Sequence, residues 1–428
     1  MNDIERGWRP LLTGARAVAA EAALEALALD LAALSIASLR PSLANGAAGV
    51  ALFFDALHRL RGDRAARHHA ERALEFAFTA AEGGTMELGL HFGVAGVAWV
   101  AARMGLADAI DDSVDEELLA LVRRRPWRGD HDLLGGLVGI GVYALERCPR
   151  PLARSTVEEI VARLGELARR DPDGSAVLPT PAELLRGRTD DPDPKGHTNL
   201  GMAHGLPGAV AFLGHALALG VREAGPLLRA LVAGLLRRRL DPVRSPGATW
   251  AAWIDDGADT ARPARSGWCY GDPAIAVGLL LAARGDHDDA LEALAIEVAS
   301  GAASRPVDQS GVIDAGLCHG AGGLGHIYNR LWQDTSGEIR DRFGDVARTW
   351  IDRALALRRP DRGIGGFVAW DLLDQGGMGW AHSPGLLSGA AGVGLALCAA
   401  LSSEAPRWDG ALLLDVPPPS RAATLSSP

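Results

Sequence analysis

Two short motifs in the second half of the chain place metal-binding side chains directly before glycine turns. They are residues 266–273 (SGWCYGDP) and 317–323 (LCHGAGG). Thiolates at Cys269 and Cys318 and the imidazole of His319 would give a zinc ion three protein ligands and leave its fourth position open, as in catalytic zinc sites. The alternative interpretation is a pair of buried structural cysteines beside a core histidine.

The elements that must position these residues repeat along the chain. A glycine turn that opens an apolar run occurs seven times, at spacings from 43 residues (Gly93 to Gly136) to 69 residues (Gly136 to Gly205). Self-similarity at such spacings indicates a repeat architecture. In the fifth copy Ala274 replaces the second glycine of the turn. The first glycines are Gly46, Gly93, Gly136, Gly205, Gly271, Gly320 and Gly389.

Each repeat predicts two helices. The apolar run after the turn, such as residues 94–102, predicts an inner helix that is buried on most sides. Residues 65–81 and 156–170 are amphipathic and predict more polar outer helices. Seven such pairs, closed on themselves, give an all-α fold: an α/α toroid, or double-layered helical barrel, with the glycine-rich turns at one rim. An open solenoid of helix pairs has the same local signature.

One segment departs from this rhythm. Residues 171–199 are rich in Pro, Asp, Gly and Thr, and 189–194 (TDDPDP) is a helix-breaking run. We expect this excursion to pack over the mouth of the toroid, where it could contribute to substrate recognition, although a plain long loop fits equally well. The prediction is a single domain over residues 1–415 and a disordered Pro- and Ser-rich tail over 416–428.

Composition restricts the function. A formal net charge of −10 argues against a nucleic-acid partner, and the arginine runs at 123–125 and 237–239 are interpreted as solvated helix faces. We expect no secretory signal, because residues 1–6 show no basic region followed by an apolar core, and the apolar runs are too short to span a bilayer. Four scattered cysteines form no disulfide framework, with Cys148 and Cys398 interpreted as structural. We predict a cytoplasmic protein, or one in a complex at the membrane periphery.

Alignment of the seven turns brings the candidate residues together. If all turns lie on one rim, Cys269, Cys318, His319, His204 and Tyr270 face the same cavity. The positions directly before the first glycines hold Asn45, Phe92, Gly135, His204, Tyr270, His319 and Ser388. The positions before those hold Ala44, His91, Leu134, Ala203, Cys269, Cys318 and Leu387.

Residues 268–273 (WCYGDP), 318–320 (CHG) and 199–205 (NLGMAHG) resemble the lanthionine synthetase C-like family, the lanthipeptide cyclases. The resemblance covers nearly the whole chain, and its two metal-bearing motifs are the specific ones. It implies an α/α toroid with one zinc per chain and a stand-alone class I cyclase. The implied reaction adds precursor-peptide cysteine thiols to dehydroalanine or dehydrobutyrine and forms (methyl)lanthionine thioether rings. Ala274 and the low aromatic content depart from the family pattern, but neither affects a proposed ligand.

The chemistry predicts further roles. A thiol has a pKa near ~8.5, so metal binding would supply the thiolate nucleophile, while the resulting enolate needs stabilisation and an acid. His204 is the candidate acid or base, or else a helix cap. Asp132, which resembles the family's aspartate, could orient a histidine or be an N-cap. Arg265, which resembles the family's arginine, could hold the enolate oxygen or lie on the surface. Tyr270 could donate a hydrogen bond or merely pack.

Three hypotheses remain open at this point. The first is the zinc cyclase, acting on a dehydrated precursor peptide, with a dehydratase and an export transporter as further partners. The second is a prenyltransferase-like toroid, which would want an aromatic pocket and usually an Asp-Cys-His metal set. The third is a zinc-containing peptide- or thiol-binding protein without turnover. The histidines His91, His131, His197 and His326 have no assigned role.

Overall fold

The computed structural model describes residues 7–84, 86–185, 195–241, 247–255, 263–373 and 376–417. Helices and strands in this part of the chain are numbered in chain order. The helices are α1 (Gly14–Ala33), α2 (Ala47–Arg61), α3 (Arg64–Glu82), α4 (Val94–Arg103), α5 (Asp112–Val122), α6 (Leu137–Arg147), α7 (Pro151–Leu167), α8 (Ala182–Leu185), α9 (Leu206–Ala218), α10 (Ala224–Leu236), α11 (Asp272–Asp286), α12 (Asp289–Ala303), α13 (Ala321–Asp334), α14 (Gly337–Ala356) and α15 (Ala390–Leu401). The strands are β1 (Arg169–Arg170), β2 (Ala176–Val177), β3 (Pro179–Thr180), β4 (His197–Asn199), β5 (Trp253–Asp255), β6 (Ala369–Leu372) and β7 (Met378–Ala381).

Seven helices form an inner ring, and each begins at one of the seven glycine turns. They are α2, α4, α6, α9, α11, α13 and α15, and the first glycine of the turn is the N-cap of each. Each packs against the next, and the contact of α15 with α2 closes the circle. The predicted α/α toroid is therefore confirmed, and the open solenoid is excluded.

Each inner helix has a partner in an outer layer. Six outer helices follow their inner partners along the chain, whereas α15 pairs with α1 from the other end of the sequence. The helix α3 is typical, because its buried residues recur at three- and four-residue spacings on one face. The helices predicted at 65–81 and 156–170 are α3 and α7. The second begins earlier than predicted, at Pro151, because proline is well suited to the first helical turn.

Backbone hydrogen bonds join the seven turns into a closed ring. The amide of Cys269 donates to the carbonyl of Cys318 at 3.0 Å. The amide of Leu387 donates to the carbonyl of Ala44, also at 3.0 Å, where the last turn meets the first. The seven turns therefore lie side by side, with equivalent positions of successive repeats next to one another. The other links run from Ala44 to His91, His91 to Leu134, Leu133 to Ala203, Ala203 to Cys269 and Cys318 to Leu387.

A glycine four residues before the turn glycine lets the next turn approach. A Cβ atom on Gly89 would lie only 2.5 Å from the Cα of Gly135 in the following turn, so a larger residue does not fit. This position therefore faces the residue directly before the next turn glycine. In the third turn Asp132 holds it, and its side chain meets His204 of the fourth turn. The equivalent glycines elsewhere are Gly201, Gly267, Gly316 and Gly385.

The predicted excursion contains short strands and ends at the rim. β1 and β2 form an antiparallel pair, and β2 packs on the outer helix α10. β3, β4 and β5 form a three-stranded antiparallel sheet, in which β5 comes from a second insertion, between α10 and α11. Asn199, at the end of β4, donates a hydrogen bond to the hydroxyl of Tyr270 on the rim. The breaker run at 189–194 lies outside the described residues.

The C-terminal segment fills the axis of the toroid. After α15 the chain turns back between the inner helices, and residues 409–414 are buried. The carbonyl of Ala411 accepts a hydrogen bond from His91 Nε2 at 3.0 Å, and the carbonyl of Leu412 accepts one from Trp268 Nε1 at 2.8 Å. Residues 409–414 thus support the rim from inside the toroid.

The predicted domain limits stay predictions. Only Val416 and Pro417 of the predicted tail are among the described residues. None of the helices in the described part of the chain combines the length and the apolar character that a bilayer crossing requires.

Candidate metal centre and acid–base pair

Cys269, Cys318 and His319 form a compact group at the fifth and sixth turns. One donor atom from each residue lies within 4.8 Å of the donor atoms of the other two. Four ligands of a tetrahedral zinc, at 2.0–2.3 Å from the metal, lie roughly 3.3–3.8 Å from one another. Two sulfurs and one imidazole nitrogen also match the donors that zinc prefers. The group therefore fits a zinc ion with small adjustments of side chains.

A contact from the β6–β7 hairpin fixes the orientation of the His319 ring. The Nε2 atom of His319 lies 2.9 Å from the carbonyl oxygen of Trp370. Because a carbonyl can only accept, Nε2 carries the proton and Nδ1 is the nitrogen available as a ligand. The carboxylate of Asp314 accepts the Trp370 amide at 2.9 Å and lies 3.5 Å from His319 Nε2. Asp314 and Trp370 thus fix the orientation of the His319 ring through its Nε2 atom.

The pKa values of the two thiols are shifted in opposite directions. The hydrogen bond from Cys318 lowers the pKa of Cys269 well below its ordinary value, against the effect of burial, and His319 adds to this lowering. The same contact, together with burial, raises the pKa of Cys318. Burial lowers the pKa of His319, but its contact with Cys269 and the Asp314 charge outweigh burial and raise it. A divalent cation would be needed to hold both sulfurs as thiolates.

His204 and Asp132 form a hydrogen-bonded pair on the neighbouring turns. The distance from His204 Nδ1 to Asp132 Oδ2 is 2.7 Å, and the other carboxylate oxygen accepts the amides of Gly135 and Gly136. Burial lowers the pKa of His204, but the hydrogen bond and charge of Asp132 raise it above its ordinary value. Burial raises the pKa of Asp132, but the pair and the Gly135 amide lower it below its ordinary value. The side chain of His204 is 42% exposed, so a ligand can reach it.

Tyr270 adjoins this pair, whereas Arg265 lies further out. The rings of Tyr270 and His204 are 6.4 Å apart. Burial raises the pKa of Tyr270 to about 12, so the phenol keeps its proton. Its oxygen accepts from Asn199, which leaves that proton available to a ligand. Arg265 is exposed, and its charge favours the Cys269 thiolate as a smaller contribution behind Cys318 and His319.

Four histidines had no predicted role, and the structure places one of them near the rim residue Tyr270 and buries the other three. His197 stacks on Trp253, which in turn packs edge-on against Tyr270. His91 and His131 are buried, and burial lowers the pKa of both, to about 4 for His91. His326 is buried against Asp409, within α13 and below the rim turn. Their positions leave the four histidines outside the proposed ligand set.

Sequence reasoning missed three contributors, namely Asp314, Trp370 and Asn199. Asp314 is six residues before Gly320, at the same offset as Asn199 before Gly205, and each side chain accepts the amide two residues on. That shared offset is a signal the sequence contains. Trp370 comes from a hairpin far along the chain and leaves no comparable pattern.

The fold and the site together define a class: an α/α toroid that carries a Cys-Cys-His group and a His-Asp pair on one rim. The sequence profile described as "Lanthionine synthetase C-like protein" matches residues 37–413. The chain therefore belongs to the lanthionine synthetase C-like family, as its motifs predicted. A comparison with curated proteins finds no match.

Solved structures agree on the fold. Nisin cyclase superposes with a TM-score of 0.70 at 19% identity, covering 88% of this chain and 92% of that chain. At this identity the likeness establishes the toroid fold. An inactive α-1,6-mannanase variant from a Salegentibacter species matches at a TM-score of 0.43 and 14% identity, over 91% and 99% of the two chains. Unsaturated glucuronyl hydrolase from a Bacillus species matches at 0.37 and 17%, over 82% and 97%. Neither of these two scores supports a comparison of sites.

Proposed function

We propose that this protein is a zinc-dependent lanthipeptide cyclase. It adds cysteine thiols of a dehydrated precursor peptide to dehydroalanine or dehydrobutyrine and so forms (methyl)lanthionine thioether rings. The observation that carries the proposal is the juxtaposition of Cys269, Cys318 and His319, with donor atoms within 4.8 Å, on turns adjacent to the His204–Asp132 pair. Membership of the lanthionine synthetase C-like family supports it.

Cys269, Cys318 and His319 would hold one zinc per chain. When bound there, the zinc would supply a position at which the substrate thiol is held as a thiolate near neutral pH. Asp314 and the carbonyl of Trp370 keep the His319 ring oriented for this role, as outer-sphere partners of metal-binding histidines do.

The reaction moves one proton and one electron pair. The sulfur forms a bond to the β-carbon of the dehydro residue while the carbon–carbon π bond breaks. The electron pair passes to the neighbouring carbonyl as an enolate. The thiol proton leaves, and a proton is delivered to the α-carbon, so that the thioether product has the same mass as the reactant.

We assign the delivery of the α-proton to His204. Asp132 holds the proton on Nδ1, orients the ring and raises the pKa of His204 above its ordinary value, which favours the protonated form. The exposed Nε2 is then the atom that gives or takes the proton. The glycine amides bonded to Asp132 fix the carboxylate in turn.

Tyr270 and Arg265 are assigned to the enolate. The Tyr270 phenol keeps its proton and its oxygen is already anchored by Asn199, so the proton can be donated to an oxyanion. Arg265 contributes positive charge from the outer edge of the rim. Its side chain is exposed, so we expect a smaller contribution from it than from Tyr270.

A cyclisation assay tests the proposal. The protein is incubated with zinc and a synthetic peptide that contains one cysteine and one dehydroalanine, and the product is alkylated and weighed by mass spectrometry. We expect no mass change and protection of the cysteine from alkylation, at a rate well above the rate without protein. If the cysteine is alkylated to the same extent as in the reaction without protein, cyclase activity is contradicted.

The same assay distinguishes the alternatives. A prenyltransferase-like reaction, tested with an isoprenoid diphosphate, would add the mass of the lipid. A zinc-containing binding protein would retain the peptide without changing it. The dehydratase and export-transporter partners and the cytoplasmic location belong to the proposal and are not needed for this test.

A further inference from the structure

The rim bears a side chain at every turn except the third, and this gap lies beside the His204–Asp132 pair. Of the seven positions directly before the turn glycines, all of them described, only the third is a glycine, Gly135. Gly135 is exposed, and no heavy atom lies within 4 Å of a Cβ atom built on it. We call this open space, between Phe92 of the second turn and His204 of the fourth, the notch.

The floor of the notch is fixed to the acid–base pair. Asp132 Oδ1 accepts the amide of Gly135 at 3.0 Å, while Asp132 Oδ2 is 2.7 Å from His204 Nδ1. The same carboxylate therefore positions both the imidazole and the backbone of the notch. Phe92, at the equivalent position of the second turn, leaves 40% of its surface exposed, so the neighbouring rim position on that side is apolar.

The order of the turns matches the order of atoms in the reaction. The substrate sulfur belongs at the fifth and sixth turns, beside Cys269, Cys318 and His319. The α-carbon of the dehydro residue must come next, within reach of His204 on the fourth turn. The carbonyl of the dehydro residue is assigned to Tyr270 on the fifth turn, so one of the two peptide segments that flank the dehydro residue extends over the third turn, at Gly135.

We propose that the notch receives a residue next to the dehydro residue, with Phe92 as its apolar wall, and that Gly135 sets the size it tolerates. This inference rests on the proposed cyclase function. A side chain at position 135 would occupy the space through which the peptide leaves the reacting carbon. The effect should therefore depend on the flanking residue of the substrate.

The position is well suited to substitution. Gly135 is not among the glycines with a positive φ, so an L-residue fits its backbone. Added side-chain atoms meet open space, and the metal-binding residues are on other turns. Gly135→Ala and Gly135→Leu are the test variants. Gly301→Leu, on an exposed face of the outer helix α12 where an added Cβ also meets nothing within 4 Å, is the matched control.

The substrates are three synthetic peptides with one cysteine and one dehydroalanine. They carry Gly on both sides of the dehydroalanine, Leu before it, or Leu after it. For Gly135→Leu we expect kcat/KM to fall about tenfold or more with at least one Leu peptide, and much less with the Gly peptide. Gly135→Ala should show a smaller change in the same direction, and Gly301→Leu none. Zinc content and Tm are measured for each variant.

Two results would overturn the inference while leaving the cyclase proposal in place. One is a Gly135→Leu enzyme that converts all three peptides as the wild type does. The other is an equal loss with all three peptides at unchanged zinc content and Tm. If Gly135→Leu does not fold, Gly135→Ala is used in its place. The ratio of its kcat/KM for each Leu peptide to its kcat/KM for the Gly peptide then decides in the same way. A wild type that converts none of the peptides above background contradicts the proposed function itself.

Discussion

The two ends of the inner ring use buried polar groups in opposite ways. At the glycine-turn end, Cys269, Cys318 and His319 turn their donor atoms toward one another. At the other end, the fully buried carboxylate of Asp409 is matched by Arg330 at 2.7 Å and by His326 at 2.7 Å. One end presents donor atoms that could hold a metal ion, and the other end holds charges that the chain itself neutralises.

This difference shows where stability and chemistry reside. A buried charge is tolerated only when it is paired. The ion pairs of Asp409 therefore hold the C-terminal segment in the axis of the toroid. The rim is held instead by backbone hydrogen bonds between turns. Because those bonds do not use side chains, the rim positions are open to residues chosen for chemistry. Substitutions at the two ends should therefore have separable effects.

Cys269→Ala should have the largest effect at the rim. Removing one sulfur ligand should reduce cyclisation to the rate without enzyme, because the thiol is no longer activated. The turn itself is held by backbone hydrogen bonds, so the thermal unfolding of the metal-free variant should differ little from that of the metal-free wild type. The cyclisation assay and a melting curve, measured on the same sample, check both parts. A variant that still cyclises at a substantial rate would break the comparison.

His204→Asn should reduce kcat by about 10²–10⁴-fold, the usual contribution of a general acid or base. Zinc content should remain at the wild-type level, because the imidazole belongs to a different turn from the ligands. Single-turnover cyclisation and metal analysis are the measurements. If zinc were lost in this variant, His204 would have to be a ligand and not the acid.

Asp409→Ala should destabilise the fold by about 3–5 kcal/mol, because it leaves Arg330 buried without its partner. The free energy of unfolding from urea titration measures this loss, and the folded fraction should still bind zinc. Asp352→Ala is the matched control. Its exposed ion pair with Arg16, at 2.9 Å, should contribute less than about 1 kcal/mol. Equal losses in the two variants would show that the axial charges do not stabilise the fold as described.

Metal-free protein should lose stability as the pH falls from about 6.5 to about 4. Burial lowers the pKa of His91 to about 4, so in this range the unfolded chain binds a proton that the folded chain does not. The full shift corresponds to about 3 kcal/mol. Urea titrations at several pH values measure the slope, and His91→Gln should reduce it. An unchanged slope in the variant would contradict the assignment to His91.

Asp314→Asn should have the smallest of these effects, a loss of about 10–100-fold in zinc affinity. The amide cannot provide the negative charge behind His319, although the ring keeps its bond to the Trp370 carbonyl. Competition with a chelator measures the affinity. Asp361→Asn, at an exposed position outside the candidate site, is the control and should leave zinc affinity unchanged.

Local sequence was enough to predict much of the toroid and the candidate metal centre. Each glycine turn and the apolar helix after it are encoded within a few residues, so seven copies could be aligned without a structure. That alignment grouped Cys269, Cys318 and His319, and the structure brings their donor atoms together. The assignment of the catalytic residues stays a prediction.

What the sequence did not reveal depends on contacts between distant segments. The pairing of α1 with α15, the entry of residues 409–414 into the axis and the hydrogen bond from Trp370 to His319 leave no periodic pattern. The contact of Asp132 with His204 was within reach. Aspartate replaces glycine at position 132, which faces the residue directly before the next turn glycine, and that alignment pairs it with His204.

Metal content tests the central claim most directly. Wild type, Cys318→Ala and Cys398→Ala are purified in parallel, loaded with zinc, desalted and analysed for zinc per chain. We expect about one zinc in the wild type and in Cys398→Ala, whose cysteine is buried in α15, and close to none in Cys318→Ala. Equal zinc in all three proteins, or none in the wild type, would contradict a zinc centre on the glycine-turn rim.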